Sequence, residues 1–207
     1  MQIKKFTGGL VESNGYILYD YAFGECTIID AGYNSKNFLE FIKNNNLTLK
    51  YILLTHHHYD HSGVAKRIKA RCQCDICLHE DDVSMYPGDV DICLHHGQKL
   101  DICGETFTVI HTPGHTRGSC SFLSMDGSYA FSGDAVFIDE VGRYDLEDGD
   151  EQRTINTICN IFEKWPNDRI LYPGHGEPIT MRELRERNRE YIAMTGRMAG
   201  GKNTYED

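Results

Sequence analysis

A short segment of the chain, THHHYDHSG at residues 55–63, concentrates groups that bind metal ions. In an extended chain, residues two apart point to the same side, so His56 and His58 can grip one cation together. A turn before the next helix would then direct Asp60 and His61 to a different centre. Neutral imidazole and carboxylate are the expected ligands of zinc, and iron and manganese also use them.

Three later loops supply further donors, each beside a glycine. HTPGHTRGS contains His115, FSGDAVF contains Asp134, and YPGHGEP contains His175. Glycine allows tight backbone turns that aim a ligand inward. The complete set of five histidines and two aspartates is His56, His58, Asp60, His61, His115, Asp134 and His175. These donors are too many for one zinc ion and suit two ions, with one aspartate shared between them.

The remaining histidines and the cysteines receive simpler interpretations. His57, His79, His95, His96 and His111 are expected to have ordinary structural or surface roles. Three cysteines in CQCDIC, Cys72, Cys74 and Cys77, could bind zinc or an iron–sulfur cluster with Cys93 or Cys103. Their spacing is not a clean pair of CxxC motifs, and a cysteine in a strand is commonly a small apolar residue. Ordinary cysteines are therefore expected.

Composition narrows the class of protein. A chain of 207 residues with 40% hydrophobic content suits one compact domain, predicted at 1–199 with a flexible tail at 200–207. The net charge of −10 argues against general nucleic-acid binding, although a local basic groove stays possible. No apolar run approaches ~18 residues, and the first residues lack a secretory pattern. Eight cysteines in such a chain indicate reduced thiols and a cytoplasmic location.

The elements that must position the donors are strands and amphipathic helices. Strands are predicted at 16–20, 25–30, 50–55, 75–80, 104–112 and 169–173, with a hairpin at 120–134 around an Asp-Gly turn. Helices are predicted at 34–46, 62–71, 151–165 and 181–193, the first with Asn34 or Ser35 as N-cap. Each donor loop follows a predicted strand, so sheets covered by helices are expected to hold the site.

Four motifs in this order, THHHYDH, TPGHTRGS, SGDAVF and YPGHGEP, resemble those of the metallo-β-lactamase superfamily. The resemblance extends from NGYILYD to HGEP, nearly the whole chain. It implies an α+β fold, an αββα four-layer sandwich with the metals at one edge between two mixed β-sheets. It also implies the metal assignments: His56, His58 and His115 on the first ion, Asp60, His61 and His175 on the second, and Asp134 bridging them.

Within the superfamily the chain is similar to the glyoxalase II group, which cleaves thioesters of glutathione. The segment GRYDLEDGD at 142–150 resembles a segment of that group. Arg143 is thus a candidate contact for an anionic substrate, with an ion pair to Asp145 as the equal alternative. Tyr144 or Tyr172 could donate a hydrogen bond near the site, although a packed aromatic is the simpler interpretation. Classical members have a C-terminal helical domain that helps to hold glutathione, and only about thirty residues follow His175.

The function predicted from these motifs is metal-dependent hydrolysis of a small-molecule thioester or related ester. A hydroxide shared by two divalent ions, expected to be zinc with iron or manganese as alternatives, would attack the carbonyl. Asp60 and Asp134 would be catalytic, because they hold the metals and orient the nucleophile. A thiolate leaves without a strong general acid, since a thiol is already fairly acidic. Neither nucleic acid nor membrane is an expected partner, and the oligomeric state stays open.

Two other activities stay open on the same residues. Lactone hydrolases of the superfamily use the same seven ligand types, and only the GRYDL segment favours a thioesterase. Persulfide dioxygenases share the fold but employ one iron on two histidines and one carboxylate. A β-lactamase is disfavoured because Asp134 has no counterpart in those sites. A nuclease is disfavoured by the acidic composition.

Overall fold

The computed structural model describes residues 1–22 and 24–196. Two six-stranded sheets lie face to face, and helices cover the outer face of each. This arrangement confirms the predicted α+β class and its αββα sandwich. The tail predicted at 200–207 lies outside the described residues, as does part of the predicted domain end. In the described part of the chain, no helix is both long and apolar enough to cross a bilayer.

The first sheet is built from the N-terminal half of the chain. Its strands in spatial order are β1 (Gln2–Gly8), β2 (Ser13–Asp20), β3 (Glu25–Ile29), β4 (Thr48–Leu53), β5 (Asp75–His79) and β6 (Ile92–Leu94). The first three strands are antiparallel and the last four are parallel. Helix α1 (Ser35–Asn44) and helix α3 (Ala65–Cys72) make the crossovers, and the single turn α2 (Tyr59–Ser62) follows β4.

The second sheet is built from the C-terminal half. Its strands are β7 (Lys99–Ile102), β8 (Glu105–His111), β9 (Cys120–Ser124), β10 (Tyr129–Gly133), β11 (Ile170–Pro173) and β12 (Ile179–Thr180), in the spatial order β12-β11-β10-β9-β8-β7. Helices α4 (Glu151–Asn160), α5 (Met181–Arg187) and α6 (Arg189–Met194) cover it. Only β10 and β11 are parallel, because α4 carries the chain back between them.

Three apolar layers hold the sandwich together. The layer between the sheets contains Tyr16, Leu53, Phe107, Phe122 and Phe131, all fully buried. The two outer layers join each sheet to its helices. Burying a large apolar side chain contributes roughly 1.5–3 kcal/mol. Because these layers fix the strands, the loops at the strand ends start from a rigid base.

Three local predictions need correction. The helix predicted at 151–165 ends at Asn160 and is followed by a short 3-10 turn. The helix predicted at 181–193 is two helices, because Asn188 ends α5 and its side-chain Oδ1 accepts from the backbone N–H of Tyr191 to begin α6. Asn34 does precede α1, but it lies in the left-handed region at φ 56° and makes no side-chain capping bond. The hairpin at 120–134 is confirmed, with Gly127 at φ 71° in its turn.

Candidate metal centre

The seven predicted donors meet at one edge of the sandwich. His56 and His58 follow β4, and Asp60 and His61 lie in α2. The second sheet contributes the other three donors from the loops after β8, β10 and β11, namely His115, Asp134 and His175. The donors therefore come from both sheets and converge where the two edges meet.

Three imidazoles form the first donor group. One ring nitrogen each of His56, His58 and His115 lie within 4.8 Å of one another. His58 Nδ1 is 2.9 Å from His115 Nε2. Burial lowers the pKa of His58 to about 4 and holds that of His56 well below its usual value. Both rings are therefore neutral, which is the form that binds a metal. His56 Nε2 is fully buried and has no hydrogen-bond partner in the described chain.

Two carboxylates and two imidazoles form the second donor group, Asp60, His61, Asp134 and His175. His175 Nε2 lies 3.3 Å from Oδ2 of both Asp60 and Asp134. His61 Nε2 lies 3.1 Å from Asp60 Oδ2 and 3.3 Å from Asp134 Oδ1. Asp134 Oδ2 is also 3.7 Å from His115 Nε2 in the first donor group. Asp134 thus stands between the two groups, where the resemblance places a bridging ligand.

The second donor group attracts positive charge. Although burial lowers the pKa of His175, its hydrogen bonds with Asp134 and Asp60 raise it to about 10. Burial also opposes the charge on His61, but Asp134 and the other carboxylates hold its pKa well above the usual value. Buried carboxylates are costly without a cation nearby. A proton on these imidazoles fulfils this need in the metal-free protein, and a divalent cation would fulfil it more fully.

The outward-facing ring nitrogens have fixed partners. His115 Nδ1 donates to the backbone oxygen of Arg143 at 2.7 Å, and His175 Nδ1 donates to that of Val11 at 2.9 Å. His61 Nδ1 lies 3.1 Å from a carboxylate oxygen of Asp30. Such partners set the tautomer and leave Nε2 free to bind a cation.

Asp30 is a supporting residue that the sequence analysis missed. Its carboxylate accepts from the backbone N–H of Thr55 and from the Thr55 hydroxyl, both at 2.8 Å, besides His61. The same hydroxyl lies 3.0 Å from His56 Nδ1, so one buried carboxylate orients a histidine in each donor group. The available signal was an aspartate at the end of a buried strand, directly before Ala31 and Gly32.

Asp82 is a second supporting residue that the analysis missed. Its Oδ2 accepts from the backbone N–H of His57 at 3.0 Å and from the Thr116 hydroxyl at 2.8 Å. Its Oδ1 accepts from the backbone N–H of Gly118 at 2.5 Å. His57 Nδ1 also lies 3.1 Å from Asp82 Oδ2, a contact in keeping with the structural role predicted for His57. Asp82 therefore joins the loop after β4 to the loop after β8.

Glycine backbone makes room for the candidate bridging carboxylate. A Cβ on Gly174 would lie 1.9 Å from Asp134 Oδ1 and 2.8 Å from His61 Cε1. A Cβ on Gly142 would lie 1.7 Å from the backbone oxygen of Asp134. The glycines beside the donors therefore serve close approach as well as turning.

The side chains of the candidate substrate contacts have partners of their own. The exposed Arg143 side chain makes two hydrogen bonds to Asp145, at 2.9 and 3.0 Å. The ion-pair alternative is thus observed, and a substrate contact stays a prediction for Arg143. Tyr144 packs against the outer apolar layer of the second sheet, and its predicted substrate role is likewise untested. Tyr172 stacks on Phe131 with the ring centroids 5.0 Å apart, as expected of a packed aromatic.

Other clusters are weaker candidates for metal binding. The rings of His79 and His111 stack 4.1 Å apart with 14° between their planes. The lone pairs of their nitrogens therefore lie in parallel planes and do not converge on one ion. Among residues 1–22 and 24–196, no candidate metal-binding group contains a cysteine. The interpretation of CQCDIC as a zinc or iron–sulfur motif therefore gains no support.

Comparisons with known proteins agree with this geometry. The chain is 30% identical over 179 residues to the hydroxyacylglutathione hydrolase GloC of Haemophilus influenzae, covering 78% of this chain and 84% of GloC. The structure matches BLEG-1, a B3 metallo-β-lactamase, with a TM-score of 0.85 and 29% identity over 91% of this chain and 98% of BLEG-1. It also matches TTHA1623 in a di-iron-bound form, with a TM-score of 0.80 and 26% identity over 90% and 98% of the two chains.

The family model of the metallo-β-lactamase superfamily matches residues 8–180, which include all seven candidate donors. Membership of this family accounts for three features of the chain together: the order of the donor loops, the two mixed sheets, and the two donor groups at their shared edge. The chain belongs to the metallo-β-lactamase superfamily, whose members include metal-dependent hydrolases.

Proposed function

We propose that this protein hydrolyses thioesters or closely related esters at a site that holds two divalent metal ions. The observation that carries the proposal is the pair of adjacent donor groups with Asp134 between them. His56, His58 and His115 would hold one ion, Asp60, His61 and His175 the other, and Asp134 both. When bound, the ions would supply a water with a pKa near 7 and positive charge opposite the developing oxyanion.

The side chains contribute orientation and charge. Asp60 and Asp134 present carboxylate oxygens towards the centre and can orient an attacking water by hydrogen bonding. Asp30 keeps the rings of His56 and His61 in place through its bonds with Thr55 and His61. No additional proton donor is required, because a thiolate is a better leaving group than an alkoxide.

The likeness to GloC supports a thioester as the substrate class, since that relative is a hydroxyacylglutathione hydrolase. Zinc is the proposed metal because its preferred ligands are the ones gathered here. The di-iron form of TTHA1623 makes iron the main alternative. We further propose that the substrate is a small molecule rather than a nucleic acid, in keeping with the net charge of −10.

The test compares the wild-type protein with His58→Ala and Asp134→Ala. Metal content is measured by mass spectrometry and turnover with a panel of thioesters, an acyl-homoserine lactone, glutathione persulfide and a β-lactam. Both substitutions should lower metal content and abolish thioester hydrolysis. The exposed His95 bonds to Glu80 outside both donor groups, so His95→Ala is the matched control and should change neither quantity.

Three results would contradict the proposal. Undiminished turnover by metal-free His58→Ala and Asp134→Ala would show that the reaction does not depend on a bound metal. Hydrolysis confined to the lactone would favour the lactonase. Oxygen uptake with the persulfide at one iron per chain would favour the dioxygenase.

A further inference from the structure

A groove on the outer face of the first sheet is lined by basic side chains of α1 and α3. Lys36 and Lys43 come from α1, and Arg67 and Arg71 come from α3. Glu40 is the one carboxylate that lines it, and the cavity volume is about 270 Å³. We call this feature the basic groove. Four cations against one carboxylate is unusual in a chain whose net charge is −10.

Most of these cations have no counter-charge. Lys36 pairs with Glu40 at 3.6 Å. Within residues 1–22 and 24–196, no carboxylate lies within 4.0 Å of the charged atoms of Lys43, Arg67 or Arg71. Arg67 and Arg71 are also four residues apart on one helix, a spacing at which like charges destabilise the helix by a few tenths of a kcal/mol. The basic groove therefore holds a surplus of positive charge.

The opposite side of α3 shows the ordinary arrangement. Lys69 pairs closely with Asp91, and Lys66 donates to the backbone oxygen of Pro87. The same helix thus engages both lysines on one side, one with a carboxylate and one with a backbone oxygen, whereas the two arginines on the other side have no carboxylate partner among the described residues. This contrast within eight residues indicates that the basic groove suits an anion from outside the chain.

The helices that line the basic groove start at the same edge of the first sheet as the candidate metal centre. Both α1 and α3 start at the edge where the parallel strands β3 and β4 end, and this edge carries the donor loops. The ring of Tyr33, just before α1, contacts that of Tyr59 at a centroid distance of 6.1 Å. Tyr59 is 67% exposed and stands between His58 and Asp60 in sequence. From Lys36 to Lys43 the helix rises about 10 Å, so the groove leads away from the centre.

We propose that the basic groove binds the phosphate groups of the substrate's thiol carrier. The inference rests on the proposed thioester hydrolysis and names its substrate class: acyl thioesters of a phosphate-bearing carrier of the coenzyme A type. Arg67 and Arg71 can each bind phosphate with two parallel N–H···O bonds, and the lysines add point charges. A long, flexible carrier arm would connect the groove to the metal centre. Glutathione has no phosphate and would leave the groove unused.

A small ligand fits the basic groove better than a nucleic acid. A cavity of about 270 Å³ accommodates a few phosphate groups rather than a strand, and the remaining surface of the acidic protein repels a long polyanion. Leu39 in the lining adds an apolar contact for the rest of the carrier.

The test uses Arg67→Glu/Arg71→Glu and the milder Arg67→Gln/Arg71→Gln. Hydrolysis is measured with a coenzyme A thioester and a glutathione thioester that share one acyl group. The exposed Lys99 and Lys164 lie outside the groove and form no ion pair in the described chain, so Lys99→Glu/Lys164→Glu is a control with the same change of net charge. The groove variants should raise KM for the coenzyme A thioester at least about tenfold, with kcat unchanged, by losing charge-assisted hydrogen bonds. The glutathione thioester and the control should change less than twofold.

A binding measurement separates this inference from the proposed function. Adenosine 3′,5′-bisphosphate is titrated calorimetrically into each metal-loaded protein, and the wild type and the control should bind it while both groove variants bind at least about tenfold more weakly. Bisphosphate binding with no thioester turnover would contradict the proposed function and leave the groove site standing. Equal KM changes for both thioesters, equal effects of the control, absence of bisphosphate binding, or tighter binding of a single-stranded RNA oligonucleotide would overturn the inference.

Discussion

In four of the candidate histidine ligands, the Nδ1 atom contacts either a backbone oxygen or a group that is fixed by Asp30. His115 and His175 donate to backbone oxygens, which a substitution cannot remove directly. His56 and His61 depend instead on the buried Asp30, one through Thr55 and the other by direct contact. At the scale of single residues, Asp30 is therefore the most vulnerable support of the site.

Replacing Asp30 by Asn should weaken metal binding about 10–100-fold, the usual effect of losing such a supporting carboxylate. Asn tolerates the left-handed backbone of this position, at φ 58°, so the change isolates the charge. Metal affinity can be measured by competition with a chromogenic chelator. The exposed Asp168→Asn is the charge-matched control, and equal affinities of wild type and Asp30→Asn would contradict the role given to Asp30.

Replacing Gly174 by Ala should displace Asp134, because the added Cβ would lie 1.9 Å from its Oδ1. We expect loss of at least one bound metal equivalent and of hydrolysis, measured by metal analysis and turnover. Gly97→Ala is a suitable control, because a Cβ on Gly97, in the turn before β7, would meet no atom within 4 Å and only its φ of 81° is unfavourable. It should cost about 1–2 kcal/mol of stability and leave the metal content intact. Full metal content in Gly174→Ala would refute the expectation.

At the scale of elements, two donor loops are joined by one side chain. Asp82 follows β5 and accepts hydrogen bonds from the loop after β4 and from the loop after β8. Because these loops belong to different sheets, Asp82 couples the positions of His58 and His115 across the sandwich. Its carboxylate does this without contributing to either donor group.

Replacing Asp82 by Asn should lower the free energy of unfolding at neutral pH by about 1–3 kcal/mol. The carboxylate accepts hydrogen bonds from His57, Thr116 and Gly118, and an amide has only one oxygen with which to accept them. Burial raises the pKa of Asp82, but hydrogen bonds from His57, Thr116 and Gly118 lower it more, so the folded pKa lies below the ordinary value. The stabilisation is therefore complete above the unfolded pKa of about 4 and is lost as pH falls through the folded pKa.

Urea denaturation of the metal-free wild type and Asp82→Asn at several pH values tests this. The difference between the two proteins should stay constant from neutral pH down to about pH 4 and shrink below it. If the difference in unfolding free energy grew on acidification, the predicted direction of the pH dependence would be wrong.

At the scale of the whole molecule, the buried donor clusters predict that metal binding stabilises the fold. Ligand at about 100 times its Kd adds about 2.7 kcal/mol, which corresponds to roughly 5–10 °C in Tm for a chain of this size. Thermal unfolding with EDTA and with added zinc measures the shift. The shift should be much smaller in Asp134→Ala, and an unchanged Tm in the wild type would contradict the prediction.

The sequence predicted the site better than its supports. The donors could be found because their loops combine strong ligand types with glycines after predicted strands, as at His115 and His175. Asp30 and Asp82 were missed because single aspartates after strands look the same in sequence whether they orient a ligand or face solvent. Of the edge strands that were missed, β6, β7 and β12 have four residues or fewer, and β1 has no fully buried side chain. The split of the final helix was missed because Asn188 also fits a helical pattern.

The donors are divided between the two sheets, four from the loop and turn after β4 and three from the second sheet. Bound ions would consequently cross-link the two halves of the chain at the edge where the sheets meet. Neither half alone offers a complete ligand set for either ion, so separating the halves at that edge would weaken the binding of both ions. Loss of metal and separation of the sheets at this edge are therefore expected to be coupled.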